Sequence, residues 1–520
     1  MVAIISVIFI ITGLRLYSKE SLKNNEDISG TVADIEIKVA EPRGLMPQSE
    51  TFAISAEPAT DTTNNKVNYN DYTISLDIDP ITRNVTGIEK LKYTNDGDVA
   101  LHEIYFNLYL NAFSETSPYK PYFENFEKKI FQSGEDYGFM GIKKVTINDE
   151  QIDFTVDTTI MKIDLKTPLL PGDDIEISLL FEAYVPAISH RTGANAKAIW
   201  FGNFLPQVAV HDSSGWHLEP YNKAGDPSYS EISNYHVTIT TPMGYHVVST
   251  GVEIELENED TKITTVNIQM VRDFAFVVSP AYSVESVRSD LGVDINFYYY
   301  SDIPDIQFYL NSAKESLEYF TNLIGSYPYL SLDIVETELF MEAGMEYPQI
   351  IFMDSDYLQK RVRANSTIVH EVAHQWFYNV IGNDQVNAAW LDESLAGIVQ
   401  DLFLYSEEEL EANMITNYNT LISRIENIEN PIPGKNTKLY DSWNSYYNVE
   451  YLRPKIMLYE LRKKMGIENF ELFLKTYYNK YAFQEVVRED LTSTAEEVYG
   501  SELQSFFSAW LGQHKVPPLQ

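Results

Sequence analysis

The segment HEVAHQW, residues 370–376, carries two histidines four residues apart, with a glutamate directly after the first. On an α-helix, residues four apart differ by about 40° in azimuth and by one turn in height, so His370 and His374 point the same way. Both imidazoles then reach one divalent ion, while Glu371, about 100° away, lies beside it. This pattern is typical of a zinc site whose carboxylate takes a proton from the attacking water. By itself, the motif at residues 370–374 also fits two polar residues that happen to lie on one helix.

A catalytic zinc usually has three protein ligands, so a third side chain is required. The chain has no cysteine, which leaves His, Asp or Glu. Glu393 lies in AAWLDESLAG, 19 residues after His374. A turn followed by a helix would return this carboxylate to the histidines, and a carboxylate in such an apolar setting needs a partner. The alternative is an exposed glutamate at a helix start, where the dipole favours negative charge.

Helices in the second half of the chain must position these residues. Ser366 or Thr367 is expected to open the histidine-bearing helix, which should run to about Val380, with Gly382 placed to stop it. The other elements predicted here are helices at 304–325 and 390–405 and a strand at 332–339.

In the first half of the chain, apolar residues recur with a different spacing. Alternating apolar and polar residues between about 67 and 287, as at 72–79, 154–165 and 235–242, predict strands separated by turn residues. We therefore expect a multidomain α+β protein, in which an all-β saddle or sandwich domain at 67–290 precedes a mainly α domain at 291–520.

The amino terminus carries an apolar run, residues 2–14, which is shorter than the ~20 residues of a spanning helix and close to a signal-peptide core. No small-residue cleavage site follows closely. Residues 1–16 are therefore predicted as a membrane anchor or signal-like segment, and the polar residues 17–66 as a linker. We expect a tethered, cell-surface protein, although the basic residues that follow the run oppose that orientation. A frayed apolar terminus is the alternative.

The net charge of −38 comes from 76 acidic and 38 basic side chains. A surface this negative repels nucleic acid and anionic lipid headgroups, so neither is expected as a partner. It indicates a well-solvated exterior or, less directly, a field that favours substrates with a positive group, such as a free amino terminus.

HEVAHQWF followed by WLDESLA resembles the zinc signature of the M1 family, the gluzincin aminopeptidases that include alanyl and leucyl aminopeptidases. Asp392 and Ser394 stand where that family usually has Asn and Gly. The resemblance runs from about residue 67 to the carboxyl end and implies a short form without the helical carboxyl-terminal domain of larger members. It also implies a thermolysin-like catalytic domain at 291–520, with one zinc ion held by His370, His374 and Glu393.

EAGMEYPQI is similar to the family's Gly-x-Met-Glu-Asn box. The resemblance implies that Gly344, Met345 and Glu346 bind the free amino terminus of a peptide, with Glu346 as the anion for the ammonium group. Read alone, this segment also fits a plain edge strand ended by Pro348.

The family also stabilises the oxyanion with a tyrosine, and Tyr451 falls at the matching place in SYYNVEYLRPKIM. A phenol with a pKa near 10 remains a hydrogen-bond donor at neutral pH. The sequence departs from the family at 452–455, where Leu-Arg-Pro-Lys replaces x-Lys-Gly-Ala. Tyr446, Tyr447 and Tyr459 are competing candidates.

The function implied is zinc-dependent hydrolysis of the first peptide bond of peptides with a free α-amino group, with Glu371 as general base and Tyr451 as oxyanion donor. Two alternatives stay open. One is a non-catalytic, membrane-tethered peptide-binding protein on the same fold, supported only by the departure at 452–455. The other is a zinc hydrolase of a non-peptide substrate. Oligomeric state and the preferred first residue are not predicted.

Overall fold

The computed structural model describes residues 69–131, 134–340 and 342–519. The predicted anchor and linker at 1–66 lie outside these residues. The described residues belong to one compact unit, and the predicted domain boundary at residue 290 stays a prediction. None of the helices in the described part of the chain has the length and apolarity needed to cross a bilayer.

The β-rich part is built on a large, mostly antiparallel sheet whose apolar face alternates with a solvent face along each strand. Within it, Asn70–Asp79 pairs in parallel with Ser233–Pro242, and Tyr72 stacks on Tyr235 at 4.8 Å between ring centroids. In spatial order, the strands of this sheet are Glu253–Glu257, Thr261–Val271, Ser233–Pro242, Asn70–Asp79, Asn84–Thr94, Asp174–Tyr184, Phe139–Ile147 and Glu150–Gln151.

Smaller sheets complete this part. One contains His246–Ser249, Phe276–Ser279, Ile199–Phe201 and Thr192–Ala194, and another contains Gln207–Val208, Leu101–Asn107, Ile160–Leu169 and Phe154–Asp157. His211–Asp212 and Gly215–Trp216 form a hairpin. The apolar pattern at 154–165 is thus two strands rather than one, because Thr158, with φ of 53°, turns the chain between them.

The second part begins with a five-stranded sheet. Its order is Ser283–Arg288, Asp294–Tyr299, Ser331–Thr337, Ile350–Asp354 and Gly344–Met345, so that Gly344–Met345 is an edge strand. Helices lie between and after these strands, and some of them, such as Ile306–Leu323, pack on the sheet. Their bounds are Ile306–Leu323, Ser355–Leu358, Arg361–Ala373, Gln385–Ala388, Trp390–Leu404, Glu407–Ile425, Trp443–Tyr446, Arg453–Met465, Ile467–Tyr481, Arg488–Tyr499 and Gln504–Leu511.

This architecture confirms the predicted fold class, a β-rich part followed by a mainly helical part. The helices at Ile306–Leu323 and Trp390–Leu404 and the strand at Ser331–Thr337 match the predicted elements closely. The predicted limits of the histidine-bearing helix are wrong at both ends. It begins at Arg361, where Lys360 offers no side-chain cap, and it ends at Ala373.

A buried arginine joins the two parts. Arg272, at the end of a β-part strand, donates from Nε to the Tyr378 carbonyl at 2.6 Å and from Nη2 to the Gln484 carbonyl at 3.0 Å. It also pairs with the carboxylate of Glu485. The segment after the histidine-bearing helix is thereby held against the β-rich part.

Candidate metal centre and cleft

Two helices deliver the predicted ligands. The histidine helix, Arg361–Ala373, buries Ile368, Val369 and Val372 against the core and keeps His370 on its open side. His374 immediately follows its last residue and retains helical backbone angles, so it stays in line with His370. The glutamate helix, Trp390–Leu404, carries Glu393 in its first turn.

The three predicted ligands converge. His370 Nε2 lies 3.1 Å from His374 Nε2 and 3.2 Å from Glu393 Oε2, and His374 Nε2 lies 3.4 Å from the same Glu393 oxygen. Ligand atoms at 2.0–2.2 Å from a tetrahedral zinc are separated from one another by roughly 3.2–3.6 Å. The triangle therefore has the size that one zinc ion requires.

The tautomer of His374 also suits a metal. Its Nδ1 lies 3.0 Å from the Phe377 carbonyl oxygen, which only accepts hydrogen bonds, so the proton belongs on Nδ1. The lone pair is then on Nε2, the atom that faces His370 and Glu393. A backbone carbonyl that fixes the outer nitrogen is a common support for a zinc-binding histidine.

Glu393 is buried, with 4% of its surface exposed, and is ionised. Although burial acts to raise the pKa of Glu393, the neighbouring imidazoles of His370 and His374 lower it to about 2. A buried carboxylate and two imidazole nitrogens together form a set of ligand atoms that binds zinc in sites without thiolates. The residues present therefore fit the ion.

Glu371, on the histidine helix, packs against the edge strand Gly344–Met345. A Cβ added to Gly344 would fall 2.6 Å from Glu371 Oε1, which shows how closely the two elements approach. Burial raises the pKa of Glu371 well above its ordinary range, and the carboxylate of Glu346 adds to this shift. The group thus has the raised proton affinity that a general base needs.

Glu346 follows the edge strand and is buried, with 7% of its surface exposed. Gln385 Nε2 donates to Glu346 Oε1 at 3.0 Å and to Asp392 Oδ2 at 2.9 Å. Asn379 Nδ2 donates to the Glu346 backbone carbonyl at 2.7 Å. These contacts hold Glu346 in place, and Glu346, Met345 and Gly344 line the same cleft.

Tyr451 lies in the tyrosine turn, the π-helical segment Tyr447–Leu452 that precedes the helix Arg453–Met465. Its ring centroid is 6.3 Å from that of His370, with 23° between the planes. Burial raises the pKa of Tyr451 well above 10, and the charge of Glu393 adds to the shift, so the phenol keeps its proton. Pro454 occupies the first turn of the following helix, where its missing N–H costs nothing.

Glu450 anchors the tyrosine turn to the preceding segment that contains Gly434 and Tyr440. Its carboxylate accepts hydrogen bonds from the Gly434 amide at 3.0 and 3.2 Å and from the Tyr440 hydroxyl. Of the competing tyrosines, Tyr446 is buried beside Tyr451, and Tyr447 is 44% exposed and stacks on Tyr451. π-helical turns change the direction of the side chains that they carry, and they are frequent at functional sites.

The converging residues border a cleft of about 490 Å³. Sequence reasoning did not foresee the part of its wall formed by Arg191, whose Nη2 pairs with Asp226 Oδ1 at 2.8 Å and whose Nε donates to Glu342 at 2.9 and 3.0 Å. Nor did it foresee Asp401 and Lys455 in the wall. These contacts join segments distant in the chain, so no local pattern signals them.

Comparison with known proteins finds similarity to a peptidase family in the second part of the chain. Residues 308–510 match the model of the Peptidase family M1 domain. Aminopeptidase M1-B of Oryza sativa subsp. japonica is 24% identical over 41% of this chain and 26% of its own length. Leucine aminopeptidase 2 of Candida albicans is 24% identical over 70% of this chain and 60% of its own length. The chain thus spans about a quarter of the rice relative and three fifths of the yeast one.

The fold has solved counterparts that cover more of the chain. The M1 zinc metallopeptidase from Deinococcus radiodurans superposes with a TM-score of 0.64 at 18% identity, covering 87% of this chain and 95% of that one. A mutant of the same enzyme was solved with a Tyr-Ser-Ala substrate, and it superposes with a TM-score of 0.63 at 17% identity. The order of a β-rich part and a helical part is therefore shared with known M1 structures.

Proposed function

Because residues 308–510 match the Peptidase family M1 domain, we propose that this chain is a zinc-dependent aminopeptidase, which hydrolyses the first peptide bond of peptides with a free α-amino group. One observation carries the proposal. Three candidate ligand atoms lie 3.1–3.4 Å apart, and Glu371 and Glu346 line the same cleft. The peptide complex of the Deinococcus radiodurans enzyme supports peptides as the substrate class.

We assign His370, His374 and Glu393 as ligands of a single zinc ion. When bound, zinc supplies a Lewis acid that lowers the pKa of a water molecule and polarises the scissile carbonyl. Two imidazoles and one carboxylate leave one corner of a tetrahedron open, as catalytic zinc sites require.

Glu371 is assigned as the general base. Its carboxylate accepts a proton from the attacking water as the new carbon–oxygen bond forms. The same carboxyl group then passes this proton to the peptide nitrogen, so that the carbon–nitrogen bond breaks and the amine leaves neutral. The raised pKa of Glu371 suits both steps, because the group must first hold the proton and then release it.

Glu346 is assigned as the anchor for the substrate's ammonium group, with Gly344 and Met345 as the strand along which the peptide backbone lies. The Gly344–Met345 strand is at the edge of its sheet, where an extended peptide adds by backbone hydrogen bonds. A buried carboxylate in the cleft wall favours a substrate whose amino terminus is charged. This feature favours an exopeptidase over an endopeptidase.

Tyr451 is assigned as the donor to the oxyanion. Its phenol is protonated across the physiological range, and its ring lies beside that of His370. A donor already in place stabilises charge that develops only in the transition state, which lowers the barrier.

The direct test is hydrolysis of alanyl and leucyl p-nitroanilides by the purified chain, together with its metal content. We expect one zinc per chain, turnover that a chelator abolishes and added zinc restores, and no turnover of the N-acetylated anilides. Equal cleavage of free and acetylated substrates would contradict the exopeptidase assignment. A chain that loads zinc and binds peptides without turnover would instead support the peptide-binding alternative.

We also propose that residues 2–14 tether the protein to a membrane with the enzyme facing outward. The support is the length and apolarity of this run alone. Fractionation of cells that express the whole chain or a chain lacking residues 1–16 tests it. Only the whole chain should sediment with membranes and be accessible to external protease, and equal distribution would contradict the tether.

A further inference from the structure

Two of the residues that depart from the M1 pattern at 452–455, Arg453 and Lys455, have different roles. Arg453 is completely buried and donates from Nε to the Trp510 carbonyl at 2.8 Å, and its guanidinium also reaches the carbonyls of Pro431 and Gln513. It therefore fastens the carboxyl-terminal segment and faces away from the cleft. Lys455 lies in the cleft wall, where its Nζ is 2.8 Å from Asp401 Oδ2.

The glutamate helix shows where Lys455 lies relative to the metal centre. At one end of this helix, Asp392 shares Gln385 with Glu346. In the other direction, a Cβ on Gly397 would meet Lys455 Cδ at 3.0 Å, and Asp401 pairs with its ammonium group. Asp401 is two turns past Glu393, or about 12 Å along the helix axis. Glu346 and Lys455 therefore lie on opposite sides of the candidate zinc ligands.

The ammonium group of Lys455 has more hydrogen-bond donors than the partners it contacts among the described residues. An ammonium group has three donors, and the structure gives Nζ one hydrogen-bond partner among the described residues, Asp401. The side chain is 13% exposed and lines the cleft. The charge of Asp401 raises the pKa of Lys455 against the effect of burial, so the ammonium stays charged. Asn417 and Tyr447 add neutral polar groups nearby in the wall.

We infer that Lys455 binds the carboxyl terminus of the substrate, so that the preferred substrates are short peptides of three or four residues with a free carboxylate. This inference rests on the proposed aminopeptidase function. An extended chain advances about 3.3–3.6 Å per residue. Lys455 contacts the glutamate helix at Gly397 and Asp401, which lie about 6 and 12 Å past Glu393 along the helix axis. Two or three residues beyond the scissile bond therefore span enough distance to bring a carboxylate to its ammonium group. A carboxylate at this point shares the ammonium with Asp401, whose Oδ2 is also 3.5 Å from Asn413 Nδ2.

The test compares peptides that differ only at the carboxyl end. For the wild-type chain, kcat/KM for Leu-Gly-Gly and Leu-Gly-Gly-Gly should exceed that for the corresponding amides by about tenfold, since the contact is a charge-assisted hydrogen bond. For Leu-Gly and its amide the ratio should be near one, because the dipeptide is too short. Leucyl p-nitroanilide, which has no carboxylate, serves as the reference substrate.

The variants remove the cation without leaving a bare buried charge. Lys455→Met alone would strand Asp401, so the informative variant is Lys455→Met with Asp401→Asn. In this double variant the acid-to-amide ratio should fall to about one. Asp401→Asn alone removes the competing anion and should raise the ratio. Lys464→Met, on the exposed surface of the same helix, is the matched control and should keep the wild-type ratio.

Two results would overturn the inference. The first is a wild-type acid-to-amide ratio near one for the three- and four-residue peptides. The second is a ratio in the double variant that equals the wild-type value. In either case, hydrolysis of leucyl p-nitroanilide by the wild-type chain shows that the aminopeptidase function itself stands, whereas absence of anilide hydrolysis by the zinc-loaded chain would contradict that function.

Discussion

A methyl group on Gly344 would lie 2.6 Å from the carboxylate oxygen Oε1 of Glu371, well inside van der Waals contact. The Gly344→Ala change should therefore displace the Glu371 carboxylate, which is buried and has little room to yield. We expect kcat for leucyl p-nitroanilide to fall by about 100-fold, because sub-ångström errors in the placement of a base are costly. Zinc content should be unchanged, since no ligand moves.

The matched control is Gly141→Ala, in the β-rich part. There the nearest atom to the added Cβ is 3.9 Å away, an ordinary contact. This variant should keep wild-type kcat. If Gly344→Ala also kept it, the close approach of the edge strand to Glu371 would have no catalytic consequence.

Glu346→Gln tests the ammonium anchor. The change keeps the shape of the side chain but removes its charge, so kcat/KM for free peptides should fall by about 100-fold. The residual rate on N-acetylated peptides should not fall further, so discrimination between the two substrates shrinks. Kinetics on both substrates with zinc-loaded protein measure this. A variant that discriminated as well as the wild type would assign the anchor to another carboxylate, such as Asp226.

A tyrosine panel tests the oxyanion donor. Tyr451→Phe should lower kcat by about 10²–10³ and leave KM within a fewfold, because the hydrogen bond forms in the transition state. Tyr446→Phe, Tyr447→Phe and Tyr459→Phe should each keep more than a tenth of wild-type kcat. If one of these three variants lost more kcat than Tyr451→Phe, the tyrosine changed in that variant would be the oxyanion donor instead.

Stability should depend on pH through His217. Its Nδ1 lies 3.4 Å from Asp384 Oδ2 and its Nε2 lies 2.9 Å from Asp212 Oδ2. The hydrogen bond with Asp384, followed by that with Asp212, raises the pKa of His217 to about 9. The pKa of the unfolded chain is about 6.5, so the stabilisation is complete below pH 6.5 and is lost as the pH rises through 9.

The measurement is the melting temperature of the wild type and of His217→Gln. At pH 6 the wild type should melt about 1–2 °C higher, and the difference should vanish by about pH 10. A difference that grew with pH would mean that neutral His217 is the stabilised form. Since this histidine is partly exposed, high salt should also reduce the difference.

Local sequence patterns account for part of the site and for the fold class. The helical period alone places His370 and His374 on one face, and the apolar neighbours of Glu393 indicated that its carboxylate needed a partner. The alternating strands and the later helices likewise follow from hydrophobic periodicity. These features depend on residues that are close in the chain.

Other features depend on contacts that no local pattern encodes. The start of the histidine helix at Arg361 was missed because its first turn is exposed and Lys360 provides no cap. Arg453 stands where the family's pattern has lysine, but its guanidinium binds carbonyls of the carboxyl-terminal segment. The position of Gln385 between Glu346 and Asp392 also arises only when distant segments pack together.

The most direct test of the central claim is the Glu371→Gln variant, with zinc content and anilide turnover measured on the same preparation. Glu371 lies beside the three candidate ligands and is not one of them, so the variant should bind one zinc per chain, as the wild type does. Its turnover of leucyl p-nitroanilide should be lower by about 10³, the contribution of a general base. Wild-type turnover in this zinc-loaded variant would contradict the account.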